Sequence, residues 1–305
     1  MLDLITVVYQ KEIPLLQLQA KSIDVYFQKN QIKSIYIIVN DHNDVVNLID
    51  CKWWGKFADC VNVIPFSIFG YVSRILGWEN QQLLKLLAAA RCTCDWSCVL
   101  DAKTLFVKNV TPGLLIDSDN RACANNLSPQ PVFESAQHFV ENFFQITLDK
   151  IVGPAGVPFL FHTKTVQELI AECEARSGQP FTVFFQENVC YPNLITEFYL
   201  YSGFVKFKYG TLNELYAQKQ RWNCINVADW QIDSFDQLFL DMQKFLTLTV
   251  SVATKTWVNL PEHKQLDYCK FLQTKKIVLD LKTTQELINN YINSSDLNVD
   301  STLTT

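Results

Sequence analysis

The chain has 305 residues, of which 49% are hydrophobic and 19% are charged, and its formal net charge at pH 7 is -5. This length allows one large domain or two modest ones with a sizeable core, and the composition is that of a globular protein and not of a disordered one. The acidic balance, without a cluster of lysine and arginine residues, argues against a nucleic-acid binder held by phosphate contacts.

The sequence predicts neither secretion nor membrane insertion. Its apolar runs fall short of the ~20 residues that a membrane span needs. Asp3 stands where a signal peptide would carry basic residues, and the ten cysteines fall inside apolar segments. We therefore expect a cytoplasmic protein with free, buried thiols.

The first half of the chain alternates predicted strands and helices. Apolar runs rich in β-branched residues predict strands at residues 4–9, 35–39, 61–64 and 99–100. Pro14 suits the first turn of a helix that follows the first strand, and residues 81–90 carry a strong helical pattern of leucines. This order predicts an α/β fold with a mostly parallel, doubly wound central sheet flanked by helices.

The second half of the chain, residues 111–293, is expected to be more helical. Residues 204–208 alternate apolar and basic side chains, and this period of two predicts a short strand. Because no linker separates the halves, we expect one composite domain over residues 1–293, with a nucleotide-binding half at about residues 1–110. The polar residues 294–305 are expected to form a flexible tail.

Polar residues follow three of the predicted strands. Tyr9 ends the first strand, Asn40 and Asp41 follow the second, and Asp101 follows the fourth. In open α/β sheets, ligands bind at the carboxyl ends of the strands, so these residues can line one cleft. A carboxylate there could hold Mg²⁺ or Mn²⁺ on a diphosphate, and Lys103 could neutralise phosphate directly. The alternative is that Asp101 caps a turn and Lys103 is a solvated surface residue.

Four stretches of the sequence share their order and spacing with a known family. They are GWENQQLLKL at residues 77–86, DW at residues 95–96, VLDAK at residues 99–103 and TEFYLYSG at residues 196–203. Together they resemble an uncharacterised family of glycosyltransferase-like proteins with the GT-A fold, and the agreement extends from the first strand to about residue 205. The resemblance implies a glycosyltransferase that moves a sugar from a nucleotide-diphosphate donor to a glycan or another hydroxyl acceptor.

The resemblance places Asp101 at a signature of two acids. In transferases of this fold, an Asp-x-Asp sequence after the central strand holds a divalent metal ion on the diphosphate. Asp101 matches the first acid, which implies a nucleotide-sugar contact and a metal ligand for Mn²⁺ or Mg²⁺. Lys103 stands at the second position. A charged lysine cannot ligate a metal ion but can compensate phosphate charge, so metal dependence stays open.

The resemblance also implies donor-binding roles for two pairs of residues. Asn40 and Asp41 would contact the nucleoside, although Asn-Asp is equally a good Asx-turn sequence. Gln82 and Lys85 are three residues apart on one predicted helix and could both reach the nucleotide sugar. The alternative for this second pair is a solvated helix face.

Glu197 is the candidate catalytic residue. An inverting sugar transfer needs a carboxylate that takes the proton of the acceptor hydroxyl. Tyr199 and Tyr201 are the candidate acceptor contacts, through their rings and hydroxyl groups. The alternative for Glu197 is an acid at a helix N-terminus, stabilised by the helix dipole, with Asn193 or Thr196 as the cap.

A second acidic motif competes with Asp101. Asp117-Ser118-Asp119 matches Asp-x-Asp better as a bare pattern, but it lies beyond the central strand. Asn120 follows it and Pro112-Gly113 precede it, which favours a turn.

Two other functions fit the same residues. Lys103 in place of a second acid favours a non-catalytic protein that binds a nucleotide sugar or a glycan on the same fold. The third possibility is an interaction protein that keeps only the fold.

Overall fold

The computed structural model describes residues 1–73, 75, 77–153, 156–228, 231–278 and 282. The expected tail, residues 294–305, lies outside these residues. Within the described part of the chain, no helix is both long and apolar enough to cross a membrane.

The strands are β1 (Leu2–Val8), β2 (Ile32–Val39), β3 (Val61–Pro65), β4 (Trp96–Asp101), β5 (Leu105–Phe106), β6 (Ala122–Cys123), β7 (Asn126–Leu127), β8 (Ile151–Val152), β9 (Phe159–His162), β10 (Tyr216–Ala217), β11 (Asn223–Val227) and β12 (Thr247–Val252). The α-helices are α1 (Ile13–Tyr26), α2 (Gly77–Ala89), α3 (Glu134–Phe144), α4 (Thr163–Ser177), α5 (Phe181–Asn188), α6 (Glu197–Tyr209), α7 (Phe235–Met242), α8 (Thr254–Asn259) and α9 (Glu262–Thr274). Short 3₁₀ helices lie between them, among them Asn43–Leu48 and Cys51–Cys60.

A five-stranded sheet forms the centre of the molecule, in the order β3-β2-β1-β4-β9. The first four strands run parallel, and β9 runs antiparallel to β4. All seven residues of β1 are buried, as expected for a parallel strand that is covered on both faces. The prediction of a mostly parallel α/β sheet flanked by helices is therefore confirmed.

The register of the sheet brings three strand ends together. Val7 of β1 lies beside Asp101 of β4, and Val8 lies beside Val39 of β2. The residues that follow these strands, Tyr9 and Asn40, therefore share one edge of the sheet with Asp101. This edge is where the strand order places a ligand.

Helix α2 lies between the sheet and the helices of the second half. One side packs against β1 and β2, and the other contacts α4, α5 and α6. Nine of its thirteen residues are buried, and four of these are polar: Asn80, Gln81, Gln82 and Lys85. A buried polar side chain needs a hydrogen-bond partner, so these four side chains must find partners near the sheet edge.

Residues 204–208 are helical, so the predicted strand there is wrong. They form the last part of α6, which begins after Thr196 and ends at Gly210 with a left-handed backbone. The residues from Tyr199 to Val205 are buried without interruption, whereas Phe207 and Lys208 are exposed. A helix that is covered on most sides loses its 3.6-residue pattern, and a chance alternation over five residues then resembles a strand.

Two hydrophobic cores stabilise the fold. The larger one surrounds the central sheet and includes residues from both halves of the chain, from Leu2 to Leu248. The smaller one joins α7, α9 and the sheet β11-β12-β5 to Leu18 of α1. We retain one composite domain over residues 1–293 as a proposal, because its expected end lies outside the described residues.

Candidate functional site

Asp101 lies at the end of β4, on a tight turn that a side chain of α1 holds in place. The backbone N–H of Thr104 donates to the Asp101 carbonyl oxygen at 2.8 Å. Gln19 of α1 donates from Nε2 to the carbonyl oxygens of Asp101 (2.6 Å) and Thr104 (3.1 Å), and its Oε1 accepts from Thr6 Oγ1 at 2.8 Å. Gln19 is fully buried, so the turn that carries Asp101 has a rigid support.

Lys85 joins Asp101 to Glu197. Its Nζ lies 2.9 Å from Asp101 Oδ1 and 3.3 Å from Glu197 Oε1. The side chains of Lys85 and Glu197 are 4% and 3% exposed, whereas that of Asp101 is 23% exposed. We call these three residues the Lys85 cluster. A buried ammonium is tolerated only with such partners, since an unpaired buried charge is very costly.

The pKa values of the cluster follow from burial and pairing. Burial acts to lower the pKa of Lys85, but the carboxylates of Asp101 and Glu197 outweigh it and raise this pKa above its usual value. Burial acts to raise the pKa of Asp101, but the ammonium groups of Lys85 and Lys103 hold it below the usual value. Burial raises the pKa of Glu197, and Lys85 only partly offsets this effect. The two carboxyls are therefore unequal, and Asp101 is the stronger acid.

A helix cap and a side chain of α2 hold the backbone at Glu197 in place. It is the first residue of α6, where Thr196 Oγ1 accepts from the Tyr199 N–H at 3.2 Å and caps the helix. Gln82 Oε1 accepts from the Glu197 N–H at 3.3 Å, and Gln82 is fully buried. Glu197 is thus both an acid at a helix N-terminus capped by Thr196 and a member of the Lys85 cluster. The predicted alternative of a solvated face for Gln82 and Lys85 is wrong, because α4, α5 and α6 cover that side of α2.

A polar cleft of about 570 Å³ lies on the other side of β1 from Asp101. Asn40, Asp41, Phe66 and Ser67 contribute to its walls, together with the start of α2. Two strand spacings, ~10 Å, separate the end of β2 from the end of β4. A ligand that contacts both strand ends must therefore be about this long.

Asn40 belongs to a buried hydrogen-bond network beside this cleft. Its Oδ1 accepts from Asn80 Nδ2 at 2.6 Å, and its Nδ2 donates to the Tyr9 hydroxyl at 2.5 Å. Tyr71 donates to Asn80 Oδ1 at 2.6 Å, and the Tyr9 hydroxyl also contacts the Gly77 carbonyl. Asn40 is 8% exposed, so its side chain shapes the wall of the cleft and offers little surface to a ligand.

The Asp41 carboxylate joins two segments at the sheet edge. Its Oδ1 accepts from the His42 N–H at 2.8 Å, and its Oδ2 accepts from the Gln10 N–H at 3.2 Å. Neither contact is the bond to the residue two positions on that defines an Asx turn, so the alternative of an Asx turn at Asp41 stays a prediction. Asp41 also lines the cleft and is half-buried.

Lys103 lies two residues after Asp101 on the same turn. It is half-buried and borders a small pocket of about 30 Å³ with Leu15, Leu18 and Trp257. Its charge still lowers the pKa of Asp101. The turn therefore places one acid and one lysine at the same strand end.

Tyr199 and Tyr201 require a correction. They are 1% and 0% exposed, and their hydroxyl groups accept from the backbone N–H groups of Gln130 (2.8 Å) and His162 (3.0 Å). The Tyr216 hydroxyl also donates to that of Tyr201. Burial leaves neither ring open to an acceptor, so we do not retain them as acceptor contacts.

The competing acidic motif forms a surface turn, as expected. Asp117 Oδ1 accepts from the N–H groups of Asp119 (2.9 Å) and Arg121 (3.0 Å), and Asn120 has a positive φ of 59°. Arg121 also pairs with both acids at 3.3–3.4 Å. The carboxylates thus stabilise their own turn.

The sequence reasoning missed Gln19, Tyr71 and Asn80. It placed Tyr9 at the ligand edge, at the end of the first strand, but gave it no partner. Gln19 carries a weak signal, since it is an amide within an apolar helical segment, and Asn80 lies within the stretch GWENQQLLKL that carries the resemblance. Tyr71 carries none, because a tyrosine in a loop is common.

The donor atoms at Asp101 do not fit a divalent metal ion. The carboxylate is engaged by the Lys85 ammonium, and Lys103 stands where a second acid would complete the site. Among the described residues, no group of three or more histidine, cysteine, aspartate or glutamate side chains is placed to hold a metal ion. The expected Mn²⁺ or Mg²⁺ ligand role of Asp101 therefore lacks the partners that it needs.

Solved glycosyltransferase structures resemble this chain. An active-site mutant of LgtC matches 90% of this chain and 96% of its own, with a TM-score of 0.51 and 15% sequence identity. The galactosyltransferase LgtC in complex with donor and acceptor sugar analogues matches 94% of this chain and 95% of its own, with a TM-score of 0.49 and 15% identity. GlyE of Streptococcus pneumoniae TIGR4 matches 96% of this chain and 63% of its own, with a TM-score of 0.45 and 13% identity. The likeness to the LgtC mutant confirms the GT-A-like fold.

No curated protein matches the chain in sequence. Residues 2–245, which are most of the chain, match a family of unknown function, DUF6492. The chain therefore belongs to this family, and its fold is that of a GT-A-like glycosyltransferase.

Proposed function

We propose that the protein transfers a sugar from a nucleotide-diphosphate donor to a hydroxyl acceptor. The observation that carries this proposal is the Lys85 cluster, which lies at the carboxyl edge of a GT-A-like sheet beside a polar cleft. A buried lysine held by two acids from different elements is costly to build, and perturbed charges of this kind concentrate at functional sites.

The reaction needs charge compensation at the departing diphosphate. The acceptor oxygen bonds to the anomeric carbon, and the bond from that carbon to the diphosphate oxygen breaks with its electron pair on the diphosphate. The proton of the acceptor hydroxyl passes to an oxygen of the departing diphosphate. Lys103 is the cation that we assign to the diphosphate, and Asp101 is the acid of the cluster that meets the donor, since its side chain is 23% exposed. Catalysis would then come from positioning and from charge stabilisation by these fixed groups.

The polar cleft is the proposed nucleoside site. The Phe66 ring offers an apolar surface for a base, while the Asp41 carboxylate and the Ser67 hydroxyl offer hydrogen bonds to a ribose. Asn40 acts in this proposal through Asn80 and Tyr9, by holding the wall in place.

Glu197 is assigned a positioning role in place of the expected general-base role. A base must come within hydrogen-bond distance of the hydroxyl that it deprotonates, at about 2.6–3.2 Å. The Glu197 side chain is 3% exposed and is bound to Lys85, so it offers no such approach in this structure. Its proposed task is to hold the ammonium of Lys85 against Asp101, with Gln82 fixing its backbone.

A non-catalytic nucleotide-sugar or glycan binding protein is the second candidate. Lys103 in place of an acid and the burial of Glu197 both favour it. It predicts binding without turnover, whereas an interaction protein that keeps only the fold predicts no nucleotide binding.

Thermal unfolding against nucleoside diphosphates and nucleotide sugars tests the proposal. A ligand at ~100 times its dissociation constant adds about 2.7 kcal/mol to the free energy of unfolding, which is readily measured as a higher melting temperature. Binding followed by release of free nucleoside diphosphate with an acceptor mixture supports the transferase. Binding with no turnover supports the second candidate, and no shift with any ligand contradicts both.

A further inference from the structure

The positively charged ammonium of Lys85 lies between two carboxylates. It contacts Asp101 at 2.9 Å and Glu197 at 3.3 Å, and the ring of Phe198 lies 5.7 Å away. These three contacts are all attractive for a positive charge. Lys85 is 3% exposed, so the charge is built into the protein and is not a mobile surface group.

Two lysines offset the charges of the two acids in the Lys85 cluster without a metal ion. Asp101 and Glu197 carry the acidic groups, and Lys85 and Lys103 are the cations. Glu12 is a third acid near Asp101 and Lys103; its carboxylate accepts from the Tyr9 N–H at 3.1 Å, and burial raises its pKa. Both lysines lower the pKa of Asp101, so both act on the same carboxylate. The two ammonium groups thus supply the charge that one divalent ion would supply.

We propose that Lys85 replaces a divalent metal ion at this strand end, and that the protein binds a nucleoside diphosphate without one. Lys85 holds the Asp101 carboxylate in place, and Lys103, which is two residues further along the same turn, meets the diphosphate. The identity of the ligand rests on the proposed function, but the replacement of the ion by Lys85 does not.

The same geometry explains why an ion would be excluded. A metal ion on Asp101 Oδ1 would lie within a few ångströms of the Lys85 ammonium, and the two cations would repel each other in a poorly screened environment. Removal of the ammonium leaves two facing carboxylates, which are oxygen ligands of the kind that Mn²⁺ accepts.

The direct test compares the response to Mn²⁺ of the wild-type protein, Lys85→Met and Lys85→Arg, without nucleotide. We expect the melting temperature of the wild-type protein and of Lys85→Arg to be unchanged by Mn²⁺, because a cation already occupies the place. We expect that of Lys85→Met to rise by several degrees. The proposal is overturned if folded Lys85→Met does not respond, or if Mn²⁺ stabilises the wild-type protein and Asp101→Asn abolishes that effect.

A second measurement covers the case in which Lys85→Met does not fold. Electron paramagnetic resonance of Mn²⁺ with the wild-type protein and with Asp101→Asn counts the ions that depend on Asp101. The proposal expects no such ion, and one bound ion that Asp101→Asn removes would overturn it.

The nucleotide panel, repeated in EDTA and in Mn²⁺, separates this inference from the proposed function. Dissociation constants that agree within about threefold support both. Binding only with Mn²⁺ supports the proposed function and overturns the replacement of the ion. No binding in either condition contradicts the proposed function, and the response of the variants to Mn²⁺ then decides this inference alone.

Discussion

Two acidic turns in this protein have similar sequences and opposite surroundings. The turn at Asp101 follows a central strand and carries a lysine at its third position, and the turn at Asp117 carries a second aspartate there. Asp101 is bound by a buried lysine from another element. Asp117 is bound by Arg121, four residues away, and more loosely by the exposed Lys219, whose Nζ lies 3.7 Å from Asp117 Oδ2.

The comparison teaches that partners, and not the pattern of acids, distinguish a site from a turn. The carboxylates of Asp117 and Asp119 bind the backbone of their own turn and the cations of Arg121 and Lys219, which are both partly exposed. Asp101 receives the ammonium of Lys85, whose other partner, Glu197, lies 112 residues further along the chain. Such a long-range buried contact is expensive in entropy and desolvation, and a simple turn does not require it.

The largest difference between the two turns is expected on removal of their cations. Lys85→Met leaves two buried carboxylates unpaired and should lower the free energy of unfolding by about 3–5 kcal/mol. The matched change Arg121→Met breaks pairs in which the arginine is 32% exposed, and it leaves Asp117 with Lys219 and two backbone N–H groups, so it should cost less than about 1 kcal/mol. Urea unfolding of both variants measures this, and equal losses would contradict a special role for the buried lysine.

Substitution of the two acids should affect the rate of sugar transfer differently. Asp101→Asn removes the charge that holds Lys85 and meets the donor, and we expect sugar transfer to fall by about 10²–10³. Asp117→Asn should leave the rate unchanged. Release of nucleoside diphosphate gives the rates, and circular dichroism verifies the fold. Normal transfer by Asp101→Asn would refute the site.

Removal of the Gln19 support of the Asp101 turn should lower the free energy of unfolding by less than removal of Lys85. Gln19→Leu leaves the Thr104 carbonyl oxygen without the Gln19 donor and the Asp101 carbonyl oxygen with only the Thr104 N–H, so we expect a loss of about 1–3 kcal/mol in the free energy of unfolding. In the described part of the chain, the turn at Asp117 has a single buried donor of this kind, Trp96 Nε1, which donates to the Asn120 carbonyl oxygen at 3.0 Å. Denaturation of Gln19→Leu is compared with that of Gln218→Leu, a surface amide, and an equally small loss in both would contradict a rigid support.

Stability against pH should separate the two acids within the Lys85 cluster. Burial raises the pKa of Glu197, so its contribution is complete below its unfolded pKa of ~4.3 and is lost as the pH rises through the higher folded pKa. The stability of the wild-type protein relative to Glu197→Gln should therefore decrease from about pH 4.3 upward. Urea unfolding of both proteins between pH 4 and pH 8 measures this difference. An increase over that range would mean that Lys85 outweighs burial at Glu197.

Asp101 should behave in the opposite way. Its pKa is lowered by Lys85 and Lys103, so its contribution is present above its unfolded pKa of ~3.9 and is lost as the pH falls through the lower folded pKa.

The smallest effect is expected at the second acid of the surface turn. Asp119→Asn removes one exposed partner of Arg121, and the free energy of unfolding should change by less than about 0.5 kcal/mol. A loss above about 2 kcal/mol would show that the surface turn carries structural charge that its exposure does not suggest.

Much of the first half could be predicted because its signals are local. Runs of apolar, β-branched residues identify β1, β2, β3 and β4, and the polar residues after them identify the ligand edge. Asn40, Asp41 and Asp101 were placed there for this reason. The solvated face of α2 and the strand at residues 204–208 were wrong, because helices distant in the sequence cover those segments and change their apparent pattern.

The sequence by itself determined the order of strands, the edge at which they end and the presence of an acid and a lysine on the turn after β4. Only the tertiary structure decided that Lys85 lies between Asp101 and Glu197 and that Tyr199 and Tyr201 belong to the core. The physical reason is that strand formation and turns depend on neighbouring residues, whereas burial and the pairing of charges depend on which distant segments pack together.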